Sequence, residues 1–412
     1  MILFYNFFTG LYFFLIKIAV LFNPKAKKMI LGRKNWREKL KLKIEKDKSY
    51  IWIHCASLGE FEQGRPLIEK IKENNPQTNI VLTFFSSSGY EIRKNYQFVD
   101  IVCYLPFDTK SNARDFVSIV NPEFVVFVKY EIWYHFLKYL YSKKIPVYLI
   151  SGIFRKNQIF FKWYGKFYKQ ALGFFTHLFL QDENSSNLLE NYGINNTDIC
   201  GDTRIDRVNA IANEEYSSVI LSEFSKDNNV IVCGSTWDKD ETIICRLINE
   251  FHNKFKLIIA PHEVTEKHLQ RIEKQLLVKY VRFSAAQSID DEVSVIIVDS
   301  IGILSKLYRF GKVAYIGGGF GKGIHNVLEA VVYNIPVVFG PNYKKFKEAN
   351  DLIADESAYK IDGYENFQYI INMLFDNDLK YVEIKKQTEE YIKKSLGATV
   401  QIFEKIQKSG KN

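Results

Sequence analysis

Short apolar runs alternate with amphipathic stretches along the first half of the chain after Tyr50. Runs that are apolar at nearly every position are typical of strands buried on both faces of a parallel sheet. The predicted strands are 50–55, 80–84, 101–104, 124–128, 146–150 and 177–181. Helical patterns such as 61–74 and 132–143 lie between them. This alternation predicts a doubly wound α/β domain.

A polar segment, residues 203–228, interrupts the alternation, which then resumes. The second set of predicted strands is 229–233, 256–260, 279–282, 294–298, 312–316 and 335–339. We therefore predict two Rossmann-like domains that face each other across a cleft, the α/β arrangement called GT-B in glycosyltransferases. The predicted divisions are an N-terminal anchor with its basic flank (1–48), a first domain (49–207), a linker region (208–228), a second domain (229–378) and C-terminal helices that pack back on the first domain (379–412).

The N-terminal segment has the composition of a membrane-associated helix. Residues 2–22 carry one charge, Lys17, and nine basic residues against one acid follow between Lys25 and Lys43. As a helix the segment would be about 31 Å long, close to the ~30 Å hydrocarbon thickness of a bilayer. A signal peptide would have the opposite order of basic and apolar residues.

Two membrane-bound interpretations of this segment remain open. It spans the membrane with its basic flank in the cytoplasm, or it lies along the inner membrane surface, where the basic flank attracts anionic lipid. The weak polar face of the second interpretation would consist of Asn6, Gly10, Phe13 and Lys17. A buried core helix is the alternative without a membrane, but eight aromatic residues among the first 22 are many for a core element.

Composition limits the other classes of function. With 47% hydrophobic and 25% charged residues the chain is globular. Its five cysteines form no C-x-x-C pair and its seven histidines show no metal-ligand spacing, so we predict no disulfide, no metal and no cofactor. The basic block could bind nucleic acid, but its place beside an apolar segment favours lipid headgroups, and we predict no nucleic-acid partner.

Glu60 follows the first predicted strand at a small, polar turn, "ASLGE". Ser57 and Glu60 have the spacing of a capping box, which would explain both residues without catalysis. Alternatively, the helix dipole keeps Glu60 ionised at the carboxyl edge of the sheet, where it could accept a hydroxyl proton.

Two further charged residues follow strands of the same domain. Glu131 stands after the strand 124–128, where it is either a surface acid at a helix start or a second carboxylate at the sheet edge. Arg204, in "GDTRIDR", could neutralise a phosphate leaving group through paired hydrogen bonds. Its alternative is an ion pair with Asp202 or Asp206.

The segment "VAYIGGGFGKGIHNVLEAVVYNIPVVFGP", residues 313–341, has the most specific pattern. An apolar strand leads into five glycines within residues 317–323, so that the backbone could approach a ligand closely. A helix is predicted from His325-Asn326, with free N–H groups for an anion. Glu329 would complete a capping box or bind ribose hydroxyls.

Two more predicted strand ends of the second domain would line the same pocket. Pro261-His262 follows the strand 256–260, and Ile301-Gly302-Ile303 follows the strand 294–298. Their position at the carboxyl edge suggests contacts with a base and a phosphate. His262 alone is also compatible with a purely structural role.

Seven motifs in this order resemble the 3-deoxy-D-manno-octulosonate (Kdo) transferases of lipopolysaccharide synthesis. They are "IHCASLGEFEQGRPLI", "YEIW", "GDTRIDR", "GSTWDKDE", "APHE", "VDSIGILSKLY" and "GGGFGKGIHNVLEAV", and with the apolar N-terminus they cover nearly the whole chain. The resemblance implies a GT-B enzyme that transfers Kdo, with inversion, from CMP-Kdo to a lipid A precursor (lipid IVA). It also implies a place at the cytoplasmic face of the inner membrane, in contact with its lipid, and no metal in the reaction.

The same resemblance implies roles for individual residues. Glu60 would be the catalytic base, and Glu131 and Arg204 would stabilise the transition state. The implied CMP contacts are Pro261, His262, Ile301, Gly302, Ile303, Asn326, Val327, Leu328 and Glu329.

The chain departs from the family pattern at several of these positions. Lys129 and Tyr130 replace Glu-Thr, Arg204 replaces Lys, His262 stands where Arg is usual, and Ile303 replaces Glu. The positive charge is therefore kept at Arg204 but not assured at His262. Two other functions remain compatible with the pattern: a membrane-associated GT-B glycosyltransferase for another nucleotide sugar, and an inactive membrane-bound binding protein.

Overall fold

The computed structural model describes residues 2–162 and 165–409, except for the side chain of Lys166. The chain forms two compact units. Unit 1 comprises Met1–Asp206 and Leu396–Asn412, and unit 2 comprises Arg207–Ser395.

Each unit contains a parallel sheet of seven strands. The strands of unit 1 are β1 (Tyr50–Cys55), β2 (Asn79–Phe84), β3 (Ile101–Tyr104), β4 (Pro122–Val128), β5 (Val147–Gly152), β6 (His177–Leu180) and β7 (Thr197–Ile199). Those of unit 2 are β8 (Val230–Thr236), β9 (Lys256–Pro261), β10 (Tyr280–Arg282), β11 (Val295–Ile297), β12 (Val313–Ile316), β13 (Val337–Phe339) and β14 (Ala358–Lys360). All twelve segments predicted as strands form strands, which confirms the α/β class.

Nineteen α-helices are present in the part of the chain that the structure describes. The helices that precede β7 in the sequence are α1 (Ile2–Ala19), α2 (Pro24–Gly32), α3 (Trp36–Lys43), α4 (Leu58–Asn74), α5 (Ser87–Arg93), α6 (Lys110–Val120), α7 (Tyr134–Ser142), α8 (Lys166–Leu172) and α9 (Glu183–Glu190). The remaining helices are α10 (Thr203–Asn213), α11 (Val219–Ser225), α12 (Asp238–Phe251), α13 (Glu266–Glu273), α14 (Leu304–Leu307), α15 (Leu328–Val331), α16 (Lys347–Ala354), α17 (Tyr364–Asp376), α18 (Asp378–Ser395) and α19 (Ala398–Ser409).

Both sheets reverse their strand order near the middle. The order is β3-β2-β1-β4-β5-β6-β7 in unit 1 and β10-β11-β9-β8-β12-β13-β14 in unit 2. The order therefore reverses between β1 and β4 and again between β8 and β12. Ligands of open α/β sheets bind at such switch points, beyond the carboxyl ends of the strands.

Side chains of β1 point alternately into the two layers that cover the sheet of unit 1. Trp52 belongs to one buried cluster, whereas Ile53 and Cys55 belong to the cluster on the other face. Gly64 of α4 lets this helix approach the sheet, because a Cβ there would lie 3.0 Å from the Cys55 sulfur. All six residues of β1 are buried, as its continuous apolar pattern predicts.

The two C-terminal helices pack in different units. Ile384 of α18 lies in the core of unit 2, whereas Ile402 and Ile406 of α19 pack in the core of unit 1. The Asp206 carboxylate accepts hydrogen bonds from the Gly397 and Thr399 amides at 2.7 Å. Only the last part of the predicted tail, 379–412, therefore packs back on the first sheet.

The predicted linker region, 208–228, contains the end of α10 and all of α11. Leu221 and Phe224 of α11 are fully buried. Although its sequence is mostly polar, this segment therefore contains a short amphipathic helix, α11, which belongs to unit 2.

Helix α1 lies against unit 1 along one face. The Tyr5 hydroxyl donates to Asp108 Oδ2 at 2.5 Å, and Asn6 Oδ1 lies 2.7 Å from His135 Nε2. By length and composition α1 could cross a membrane, and 6% of it is buried. Its exposed large side chains are Ile2, Leu3, Phe4, Phe7, Phe8, Leu11, Tyr12, Phe14, Leu15 and Ile18.

Candidate functional site

The switch point of unit 1 brings Glu60 and Glu131 to the same edge of the sheet. β1 and β4 are direct neighbours, with His54 paired to Phe127. α4 begins directly after β1, and the turn with Glu131 follows β4. The sequence predicted both positions from the strand ends alone.

Glu60 lies in the first turn of α4, which begins three residues earlier than the sequence predicted. The Ser57 hydroxyl donates to Glu60 Oε2 and makes no hydrogen bond to the helix backbone. The predicted capping box is therefore absent, because the two side chains bond to each other. The Glu60 side chain is 19% exposed, so a hydroxyl group could reach it.

A lysine that sequence reasoning did not assign to the site lies beside Glu60. Lys129 Nζ is 3.8 Å from Glu60 Oε1. The Lys129 backbone has a φ of 64°, a conformation that non-glycine residues seldom adopt. The only sequence signal for this contact was that Lys129 departs from the family motif.

The Glu131 carboxylate lies near a buried histidine. Glu131 Oε2 is 3.9 Å from His54 Nε2. The Trp133 indole donates to the same nitrogen at 3.1 Å, so Nε2 accepts and the imidazole proton is on Nδ1. That N–H points at Thr83 Oγ1, 2.9 Å away. The Trp133 contact thus fixes the orientation of the His54 ring beside Glu131.

Arg204 lies at the start of α10 and pairs with Asp202. Its Nε and Nη2 atoms are 2.9 and 2.5 Å from Asp202 Oδ2. Gln63 of α4, one turn after Glu60, also points its amide at this carboxylate, at 3.4 Å. Burial raises the pKa of Asp202, but the Arg204 guanidinium outweighs it and holds that pKa below its usual value. The ion pair expected as an alternative role thus exists and orients Arg204.

The glycine loop of unit 2, residues 317–323, follows β12 at the second switch point. A Cβ on Gly317 would lie 2.2 Å from the Ser235 carbonyl oxygen, and one on Gly319 would lie 2.6 Å from the Gly340 backbone. These two glycines therefore allow strand ends of the protein to approach each other. The prediction from the sequence was that these glycines let the backbone approach a ligand.

A buried carboxylate holds the glycine loop in place. Asp240 of α12 accepts hydrogen bonds from the Gly318 amide at 2.9 Å, the Trp237 amide at 2.9 Å and the Tyr315 hydroxyl at 2.7 Å. Burial raises the pKa of Asp240. The position of Asp240 within "GSTWDKDE" gave no hint of this contact.

Three aromatic rings lie together beside the loop. The Trp237 indole donates to His325 Nε2 at 3.0 Å, and His262 stacks on both rings, with centroids 4.7 and 4.4 Å away. Burial, and the neighbouring His262, lower the pKa of His325 to about 4. Burial also lowers the pKa of His262. His262 thus offers a flat neutral ring where the family pattern has a cation.

We expect unit 2 to lose stability as the pH falls from about 6.5 to about 4. The fold keeps His325 neutral over this range, whereas the unfolded chain binds a proton near pH 6.5. Protons therefore favour the unfolded state, and the contribution of His325 is present above pH 6.5. Urea unfolding at pH 7 and pH 4.5 measures the loss. The variant His325→Gln should show a smaller loss, and an equal loss would contradict the assignment.

The remaining predicted nucleotide contacts differ in accessibility. Asn326 and Glu329 are partly exposed and hydrogen-bonded to each other at 3.1 Å. Val327 and Leu328 are fully buried, so only their backbone could contact a ligand. Pro261 ends β9 and is buried as well.

The turn after β11 contains the other three predicted contacts. Ile301 is 86% exposed. Gly302 has a φ of 94° with open space around its Cα, and Ile303 precedes α14. This turn presents the Ile301 side chain and the backbone of Gly302.

The helix predicted to begin at His325-Asn326 begins at Leu328 instead. α15 covers only Leu328–Val331, and Asn334 with a φ of 57° turns the chain toward β13. A four-residue helix contributes little of the macrodipole on which the anion-binding prediction relied.

One group of described residues has the spacing of metal ligands. Asp238, Glu241 and His268 offer atoms within 4.8 Å of one another. Arg271 pairs with both carboxylates, at 3.3 Å from Glu241. Because a guanidinium already balances their charge, we assign no metal to this group.

The chain is similar to proteins of known family. Residues 34–207 match the family described as "3-Deoxy-D-manno-octulosonic-acid transferase (kdotransferase)". A bifunctional glycosyltransferase/methyltransferase from Fusobacterium nucleatum is 25% identical over 396 residues, which are 92% of this chain and 61% of that protein. The chain thus spans about three fifths of the length of that relative. A 3-deoxy-D-manno-octulosonic acid transferase from Aquifex aeolicus is 26% identical over 316 residues, which are 76% of this chain and 81% of the relative.

A solved structure shows the same fold. UDP-GlcNAc 2-epimerase from Neisseria meningitidis, bound to UDP-GlcNAc, aligns with a TM-score of 0.62 and 15% identity over 88% of this chain and 100% of its own. At this identity the likeness shows the fold alone, and it confirms the GT-B class. Together these matches show that residues 34–207 are similar to the 3-deoxy-D-manno-octulosonic acid (Kdo) transferase family and that the chain resembles such a transferase over 76% of its length.

Proposed function

We propose that the chain transfers Kdo from CMP-Kdo to a lipid A precursor (lipid IVA) with inversion at the anomeric carbon. The observation that carries this proposal is Glu60, a partly exposed carboxylate at the switch point between β1 and β4. It lies inside the segment that matches the family, residues 34–207.

Glu60 acts as the general base in this scheme. Its carboxylate takes the proton from an acceptor hydroxyl while that oxygen bonds to the anomeric carbon of Kdo. The bond from that carbon to the phosphate oxygen breaks on the opposite face, and CMP leaves. Proton transfer of this kind contributes roughly 10²–10⁴-fold to the rate. Ser57 and Lys129 hold the carboxylate in one orientation.

Glu131 and Arg204 stabilise charge in the transition state. The anomeric carbon becomes electron-poor as the phosphate departs, and the Glu131 carboxylate, 3.9 Å from His54 Nε2, can stabilise it. Arg204, oriented by Asp202, can stabilise the negative charge on the departing phosphate.

Unit 2 binds the nucleotide in this proposal. His262 presents a stacking surface for the base, and Asn326 and Glu329 bind ribose or phosphate oxygens. Backbone groups of Pro261, of residues 301–303 and of residues 327–328 complete the contacts. Neutral aromatic stacking replaces the cation of the family pattern at His262.

The acceptor is a membrane lipid, and α1 provides a membrane contact. The hydrogen bonds of Tyr5 and Asn6 with unit 1 would break if α1 crossed a bilayer alone. Its opposite face exposes apolar side chains, and the basic residues 25–43 follow directly. We therefore favour a helix that lies on the cytoplasmic surface of the inner membrane and contacts anionic lipid.

Vesicle binding tests this orientation. Phe7→Ser with Phe14→Ser, two outward residues of α1, should weaken binding to anionic vesicles more than tenfold, because each buried Phe contributes about 1.5–3 kcal/mol. A cysteine at position 2 should react with a membrane-impermeant reagent only from the side that carries the two units. Labelling from the other side would show a spanning helix.

Turnover tests the proposed function. Purified full-length protein, CMP-Kdo and lipid IVA should yield a Kdo-bearing lipid on thin-layer chromatography, with inverted anomeric configuration by NMR. UDP-sugars should support no transfer. Transfer from a UDP-sugar alone would favour another GT-B glycosyltransferase, and nucleotide binding without any transfer would favour an inactive binding protein.

A further inference from the structure

A groove lies in unit 2 beside the three aromatic rings. It is a groove of about 1110 Å³, lined by the start of α12, one face of α13 and the glycine loop. Its volume is near the upper limit of ordinary ligand pockets. None of the residues assigned to the nucleotide lines it, but His325, which directly precedes Asn326, does.

The groove carries an excess of positive charge. Four lysines line it: Lys239, Lys267, Lys274 and Lys322. None of them forms an ion pair with any residue in the ranges 2–162 and 165–409. Arg271 also lines the groove, but Asp238 and Glu241 balance its charge. Ammonium groups gathered in a concave surface repel one another and attract anions.

The acids in the groove do not compensate these lysines. Asp240 is buried and accepts three hydrogen bonds from its own unit. Asp238 pairs with Arg271. Glu263 is the remaining carboxylate of the lining, so the four lysines face one acid that is not already paired.

The groove also has a flat aromatic wall next to the proposed nucleotide site. Trp237 and His325 line it and are hydrogen-bonded to each other. Lys239 follows Trp237 by two residues, and Lys322 precedes His325 by three. An aromatic face suits the C–H face of a sugar ring, and ammonium groups suit a carboxylate. A sugar attached to the nucleotide phosphate would therefore meet both kinds of group here.

We propose that this groove binds the sugar acid of the donor, with its carboxylate held by Lys239 and Lys322 and its ring against Trp237. Lys267 and Lys274 extend the positive surface along α13 and attract the anionic donor. This assignment rests on the proposed function and gives a partner to the carboxylate that distinguishes Kdo from neutral sugars.

Calorimetric binding to the full-length protein tests the assignment. The double variant Lys239→Gln, Lys322→Gln should bind CMP-Kdo about tenfold more weakly or worse, because two charge-assisted hydrogen bonds are lost. Its affinity for CMP should stay within about twofold, since CMP lacks the carboxylate. The double variant with arginine at both positions should recover most of the affinity. Lys226→Gln, an exposed lysine of unit 2 outside the groove, is the matched control.

The outcomes separate this proposal from the proposed function. Unchanged CMP-Kdo affinity in the double variant would overturn the assignment, and so would an equal loss for CMP and CMP-Kdo. A higher KM for the lipid acceptor with unchanged donor affinity would place the phosphorylated acceptor in the groove instead. If the unmodified protein bound neither CMP nor CMP-Kdo, the proposed function itself would fail, and this assignment with it.

Discussion

Glu60→Gln is expected to reduce kcat by about 10²–10⁴-fold while CMP still binds. Glutamine keeps the size and the hydrogen bond with Ser57 but cannot take a proton from the acceptor hydroxyl. The contacts of Glu60 with Ser57 and Lys129 lie within unit 1, and the scheme gives Glu60 no contact with the nucleotide, so nucleotide affinity should not change. Single-turnover kinetics with CMP-Kdo and lipid acceptor measures the chemical step directly.

Glu73→Gln is the matched control for this variant. Glu73 lies on the same helix, α4, but near its other end, where it pairs with Lys70 at 2.9 Å. It should retain the rate of the unmodified protein. A Glu60→Gln enzyme with normal turnover would remove Glu60 from the mechanism and leave its pairing with Lys129 as a structural contact.

Arg204→Ala is expected to lower kcat by about 10²–10³-fold, the usual effect of removing one group that stabilises developing negative charge. The loss should appear in kcat more than in the KM for CMP-Kdo, because the charge on the leaving phosphate grows only in the transition state. Arg204→Lys should recover part of the rate, since the family pattern has lysine at this position. Steady-state kinetics with varied donor gives both constants.

The structural cost of losing an ion pair has to be separated from this catalytic effect. Arg65→Ala breaks a more exposed pair of unit 1, with Glu69 at 2.6 Å, outside the proposed site. Arg204→Ala should lower the urea midpoint more than Arg65→Ala, because it leaves the buried Asp202 carboxylate without its guanidinium partner. Turnover is therefore compared without urea, where both variants are folded, and only Arg204→Ala should lose it. A fall in activity that merely follows a fall in stability would contradict the assigned role of Arg204.

The strand positions could be predicted because parallel strands are buried on both faces. β1, β4, β8 and β12 therefore appear as continuous apolar runs. The two strands that were missed, β7 and β14, lie at the sheet edges and are three residues long and partly exposed. These two strands are too short and too exposed to form the continuous apolar run of a buried strand, whereas the edge strand β3 is mostly buried and was predicted.

Part of the candidate site followed from the same reasoning. Glu60 and Glu131 come directly after predicted strands, and parallel strands bring their carboxyl ends to one edge. The helix after the glycine loop was predicted to begin at His325-Asn326, but it begins at Leu328. Gly317 and Gly319 were predicted to approach a ligand, but they approach protein backbone that is distant in sequence.

The sequence alone predicted the order of strands and helices, the apolar N-terminus and the strand ends that carry candidate site residues. Each of these features depends on residues a few positions apart. The orientation of the reacting groups was not predicted. The Trp133 contact that orients His54 joins residues 79 positions apart, and the Asp240 contact that holds the glycine loop joins residues 78 positions apart. Contacts of that separation exist only when the sheets have formed, so folding alone determined how these side chains are oriented and which lysines face a groove.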